Sequence, residues 1–104
     1  MQKLEIVPRL LPDVRAGRKL HTIRWREYEI VPGPMLYVNA QDASDTVMVC
    51  VTLVEKMPLS VVAARLDNSA EWPDAVLLEG MREHYPSIKM DSEVAVIHHL
   101  PPAE

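Results

Sequence analysis

The chain has 104 residues, 48% of them hydrophobic and 25% charged, with a formal net charge of -4. That length suffices for a single domain over residues 1–104 that buries roughly 60–70% of its unfolded surface, and the composition excludes a disordered chain. A single cysteine, Cys50, excludes a disulfide framework or a cysteine metal cage within one chain. No window reaches the roughly 18 apolar residues of a membrane span, so a cytoplasmic protein with no membrane partner is expected.

Sign is unevenly placed. Residues 1–26 hold seven of the eleven basic residues (Lys3, Arg9, Arg15, Arg18, Lys19, Arg24, Arg26) against Glu5 and Asp13, a net of +5, and the rest holds four basic and thirteen acidic groups, a net of -9. The electropositive quarter can draw in phosphates or pair with acids elsewhere in the fold. A net-acidic chain is a poor binder of long nucleic acid, which needs many phosphate contacts. A small-molecule ligand or a short RNA is the expected partner.

In chain order, "LPDVRAG" (residues 11–17) predicts a helix of one to two turns, with Pro12 in the first helical turn, Asp13 at the positive end of the dipole and Gly17 just past the end. "LHTIRWR" predicts a strand with Leu20, Thr22, Arg24 and Arg26 on one face and His21, Ile23 and Trp25 on the other. The odd-numbered face is the more apolar and is expected to pack inward. "VPGPM" reads as a turn, because two prolines around Gly33 do not suit a central strand. A strand from Met35 to Ala40 and a polar loop "QDASD" follow.

"TVMVCVTLVEKM" is the most apolar segment, with Val47, Val49, Val51 and Leu53 alternating against Met48, Cys50, Thr52 and Val54. Apolar residues on both faces predict a central strand, with Cys50 a buried small side chain. Pro58 opens a short helix, and residues 73–85 form another, with Pro73 at its start and a stripe of Leu77, Leu78, Met81 and Tyr85. "SEVAVIHHL" is a closing strand. The expected order is helix, three or four strands, two helices and a last strand. This is an α+β chain, most economically a small mixed β-barrel with short flanking helices.

Chemistry concentrates at Lys19, Thr22 and Arg24. Amide hydrolysis needs a nucleophile, a proton acceptor and donors for the oxyanion. Thr22 can be the nucleophile and Lys19 the base, provided that the amine is neutral; Arg18 or Arg24 could supply the cation that favours the neutral form. Lysine paired with a hydroxyl is a known variant of the triad. In one straight strand positions 19 and 22 point to opposite faces. The two can meet only if Lys19 lies in the turn after Gly17 and the strand begins beyond it.

The pattern Gly17-x-Lys19-x-x-Thr22-x-Arg24 resembles the signature of ASCH domains, small β-barrels related to the PUA fold. The likeness extends to the helix before the motif, to "GPMLYV", to the helix ending in Tyr85-Pro86 and to the final "VAVI". In length and layout the chain is similar to the compact bacterial members that act as N(4)-acetylcytidine amidohydrolases. The resemblance implies a hydrolase that removes the acetyl group from the exocyclic amine, with a glutamate ahead of the last helix completing the site. Glu71 in "NSAEWPD" is the candidate, and Asp67 and Asp74 are substitutes. Arg24, Arg26, Trp25 and Trp72 are the expected substrate-binding residues, and Trp25, Tyr28 or Trp72 would offer a ring for the base, worth about 1–3 kcal/mol.

No cofactor and no metal are expected. His98 and His99 are adjacent on a strand and face opposite ways, so they cannot readily share one ion and read as structural or terminal. Two other ASCH or PUA-like roles compete with hydrolysis: a module that binds RNA or a nucleotide without altering it, and, with less support, RNA cleavage. Fold likeness alone does not decide among them.

Overall fold

The computed structural model describes residues 1–27, 29–67, 70 and 72–102. Its elements are β1 (Gln2–Ile6), α1 (Leu11–Arg15), β2 (His21–Arg24), β3 (Gly33–Asn39), β4 (Asp42–Pro58), α2 (Leu59–Arg65), α3 (Asp74–Arg82) and β5 (Glu93–His99), with a 3-10 turn at Pro8–Leu10. The strands form one five-stranded sheet in the order β1-β3-β4-β5-β2. β1 runs parallel to β3, from Gln2 opposite Met35 to Ile6 opposite Asn39, and β3 is antiparallel to β4. The sheet is therefore mixed, and with its short helices gives the α+β class expected from the sequence.

Packing divides the chain into two compact units: Met1–Thr22, Tyr28–Val54 and Ile97–Glu104 in the first, Ile23–Glu27 and Glu55–Val96 in the second. The core of the first gathers Leu4 and Ile6 of β1, Leu11 and Val14 of α1, Met35 and Tyr37 of β3, Val47, Val49 and Val51 of β4, with Ile30 and Ile97. Those of β1, β3 and β4 are alternate residues along their strands, and those of α1 are a three-residue step apart. Every such aliphatic side chain taken out of water contributes about 1.5–3 kcal/mol.

The core of the second unit joins Leu59, Val62 and Ala63 of α2 to Leu77 and Met81 of α3, with Ile88, Val94 and Val96. Pro58 and Pro73 stand at the N-caps of the two helices in extended conformation, with φ of -60° and -55°. The ring fixes such a φ without cost. Ile23, Trp25, Trp72, Leu78 and Tyr85 pack half-buried against this cluster. The predicted stripe on α3 is thus apolar packing, although the helix itself stops at Arg82.

Several expectations are corrected. A strand, β1, precedes the first helix, its buried Leu4 and Ile6 alternating with exposed Lys3 and Glu5. Segment 31–35 is not all turn, because β3 already begins at Gly33. Pro34 is accommodated since the parallel ladder with β1 starts only at Met35. There the side chain of Gln2 takes over: its amide nitrogen donates to the carbonyls of Val31 (2.7 Å) and Pro34 (3.1 Å), and its oxygen accepts from Val31 N–H (3.0 Å).

Most of "QDASD" is strand. β3 turns back at Ala40 and Gln41, and the register jumps from Val38 opposite Thr46 to Asn39 opposite Asp42. The extra residues form a bulge, stabilised by Asp42 Oδ1 accepting from Ser44 N–H (3.0 Å) and Ser44 Oγ (2.6 Å). β4 is central in strand order, but its second face is exposed at Met48, Cys50 and Thr52. Cys50 is accordingly exposed and not buried. No helix among the described residues is long and apolar enough to cross a membrane.

Candidate functional site

The motif is built from the end of α1. Gly17 adopts φ +76°, the left-handed conformation that a residue with Cβ resists. Its N–H donates to Val14 O (3.1 Å) and that of Arg18 to Asp13 O (2.9 Å), the paired bonds of a Schellman cap. Lys19 N–H donates to the same Asp13 carbonyl at 3.1 Å. The helix end therefore fixes the backbone of Lys19 outside the strand, which begins at His21. The parity that would separate Lys19 from Thr22 in an uninterrupted strand does not apply.

Thr22 is only 4% exposed. The sequence placed its face outward, and burial there corrects that reading. No buried side-chain nitrogen or oxygen among the described residues lacks a hydrogen-bond partner, so the hydroxyl sits in a satisfied polar environment.

The charge of Lys19 acts on two histidines, His21 and His99. Burial, and then the Lys19 charge with smaller contributions from His98 and His99, lowers His21 to about 4. His99 is also held below the ordinary imidazole range, mainly by burial, with Lys19 and His98 pressing the same way. At neutral pH both rings are uncharged. Nδ1 of His99 lies 2.9 Å from the Leu100 carbonyl oxygen, which can only accept, so the proton is on Nδ1. Nε2 is left to accept from the Tyr37 hydroxyl at 2.9 Å. His99 is thus buried with both ring nitrogens hydrogen-bonded.

The remaining binding candidates lie in the second unit. β2 ends at Arg24, so Trp25 and Arg26 stand beyond it and not on the strand as expected. Arg26 has φ +59°, a conformation costing a non-glycine residue about 1–2 kcal/mol. The chain bends there, and Glu27 Oε2 meets Arg24 NH1 at 3.4 Å. The Arg24 side chain is 14% exposed. The hydroxyl of Tyr85 donates to the same Glu27 oxygen. Burial, followed by this carboxylate, pushes Tyr85 up to about 12.

Trp25 and Tyr85 pack edge to face with ring centroids 6.0 Å apart, and the Arg26 guanidinium lies 4.3 Å from the Trp25 centroid on its face. Arg24, Trp25 and Arg26 thus belong to one cluster, and Trp72 packs on the same apolar core as Trp25. Sequence reasoning missed Glu27 and gave Tyr85 a purely apolar role. A half-buried tyrosine needs a partner for its hydroxyl, and an acid three residues after an arginine was the available signal.

Both arginines expected to favour a neutral Lys19 carry carboxylate partners: Arg18 NH2 lies 2.9 Å from Asp13 Oδ1, and Arg24 is held by Glu27. Glu71 and Tyr28 lie outside the described residues; the substitutes Asp67 and Asp74 are exposed, Asp67 with φ +57° just after α2 and Asp74 in the first turn of α3. Among the described residues no group of three or more His, Cys, Asp or Glu could hold a metal ion.

Neither a family model nor a curated protein matches the sequence. Among solved structures, the chain is similar to two crystal structures of single-residue variants of ZmASCH from Zymomonas mobilis. The first likeness has a TM-score of 0.69 at 9% identity, covering 96% of this chain and 68% of that one. The second has a TM-score of 0.70 at 8% identity, covering 98% and 71%. The α+β fold of this chain is that of an ASCH protein.

Proposed function

We propose that the chain is an amidohydrolase that converts N(4)-acetylcytidine, or a related N(4)-acylated cytosine nucleoside, to cytidine and a carboxylate. Lys19, as the amine, takes the proton of the Thr22 hydroxyl while Thr22 Oγ1 attacks the acetyl carbonyl. Collapse of the tetrahedral adduct breaks the C–N bond, and Glu71 protonates the departing cytosine amine. Water then hydrolyses the acetyl ester of Thr22, releasing acetate and restoring the hydroxyl. The amine leaves readily for an amide because it is conjugated with the ring.

Arg24, Arg26, Trp25 and Trp72 bind the substrate, the rings offering faces for the pyrimidine. The observation that supports this reading most is the placement of Lys19 on a capped helix end ahead of β2, in an ASCH-type fold, with a buried threonine three residues on.

Purified chain given N(4)-acetylcytidine without added metal is expected to yield cytidine and acetate, followed by chromatography, with Lys19→Ala and Thr22→Ala each abolishing turnover. No conversion at high enzyme concentration overturns the reading. A second reading, a module that binds RNA without altering it, draws on the exposed Arg26 guanidinium stacked over Trp25. It predicts oligonucleotide binding that weakens steeply with salt.

A further inference from the structure

The set formed by Arg24, Trp25, Arg26, Glu27 and Tyr85 has more parts than base stacking needs. A guanidinium keeps its charge in proteins, so only a nearby anion can offset that of Arg24. Glu27 supplies that anion at 3.4 Å, where the arginine side chain is 14% exposed and its field is poorly screened. The carboxylate does not rest on the ion pair alone. Tyr85 donates its hydroxyl to the same Oε2, and burial beside this acid pushes its deprotonation up to about 12, so it is a donor throughout the working pH range.

Tyr85 is itself held edge-on against Trp25, and the chain bends through the left-handed Arg26 between Arg24 and Glu27, whose side chains meet. The Arg26 guanidinium lies over one face of Trp25, 4.3 Å from its centroid.

We propose that Glu27 is a specificity-determining residue: held by Tyr85, it offsets the Arg24 charge, so the arginine serves as a hydrogen-bond donor with little net charge and favours an uncharged nucleoside over its phosphorylated counterpart. The proposal rests on the nucleoside reading above. A phosphate brought to Arg24 meets the Glu27 carboxylate and must displace it. A carbonyl or ring-nitrogen acceptor takes a hydrogen bond without disturbing the pair.

The test compares kcat/KM for N(4)-acetylcytidine and for its 5′-monophosphate in the full chain. The wild type favours the nucleoside. Glu27→Gln, which keeps the shape and the acceptor oxygen, moves the preference toward the monophosphate by about tenfold. Tyr85→Phe, which keeps the ring and removes only the hydroxyl, moves it the same way by about threefold, with the KM for the monophosphate and not kcat carrying the change. An unchanged preference in both folded variants overturns the proposal, and if Glu27→Gln fails to fold, Tyr85→Phe decides alone.

If the wild type turns over neither compound, the amidohydrolase reading fails by itself. The comparison is then made by titration calorimetry with cytidine and cytidine 5′-monophosphate. A preference shifted by Glu27→Gln upholds the role of Glu27. An unshifted preference, or no binding of either ligand, overturns it.

Discussion

The Tyr37 hydroxyl donates to Nε2 of His99 across 2.9 Å, with the two rings nearly perpendicular and their centroids 5.3 Å apart. Because Nδ1 is committed to the Leu100 carbonyl, Nε2 accepts from the tyrosine hydroxyl only while the imidazole is neutral. Protonated Nε2 would face the tyrosine oxygen as a second donor and force the hydroxyl to turn. Tyr37→Phe leaves Nε2 buried without its partner and is expected to cost about 1–3 kcal/mol, each kcal/mol lowering Tm by about 4–8 °C. Thermal unfolding at pH 7 checks this.

Acid should unfold the protein through the same region. His21, lowered to about 4, and His99, lowered below the usual 6.5, bind protons more tightly in the unfolded chain than in the folded one. Their stabilisation is complete above about pH 6.5 and is lost as pH falls from there toward 4, because unfolding takes up protons in that window. Chemical denaturation between pH 7 and 4 should show stability falling steadily, and His21→Gln should flatten the slope. An equal slope in the variant would show that carboxylates alone drive the loss.

Thr22 offers a separation of chemistry from packing. Thr22→Val keeps the β-branched shape in its buried position and removes the hydroxyl, so turnover should fall by at least about 100-fold with the fold retained. Thr22→Ser keeps the nucleophile and should retain measurable activity. Steady-state rates beside far-UV circular dichroism test the pair, and comparable rates in Val and Ser variants would remove Thr22 from the chemistry.

Gly17→Ala should strain the turn that carries Lys19. At φ +76° an added Cβ would be disfavoured by about 1–2 kcal/mol, and it would meet Pro101 Cβ at 3.4 Å, an ordinary contact. The cost is therefore conformational and not steric. A Tm lowered by several degrees is expected, and full stability in the variant would mean that residue 17 can leave the left-handed region without loosening the cap.

The helices, β4 and β5 were legible because each writes its period over enough residues, as Leu59, Val62 and Ala63 do in α2 and the alternating valines in β4. β1 was not. It has only two buried residues, and its partner Met35 lies more than thirty positions on, so no local pattern announces the pairing. The exposed positions of Met48 and Cys50 escaped for the opposite reason: alternation among apolar residues does not say which face meets a core. The candidates Lys19, Thr22 and Arg24 were picked out by motif spacing, whereas Glu27, which meets Arg24 across a bend with a left-handed residue at Arg26, was not.

Gln2 shows how little is needed to set where a strand stops sliding. Its amide meets both the donor and the acceptor of Val31, which it can do in one alignment of β1 against β3. A displacement by one residue would carry the charged Lys3 and Glu5 into the layer now filled by Leu4 and Ile6. One side chain near the beginning of the chain thus works as a ratchet pawl for the parallel pair, and alterations at that position should be felt as misalignment before they are felt as unfolding.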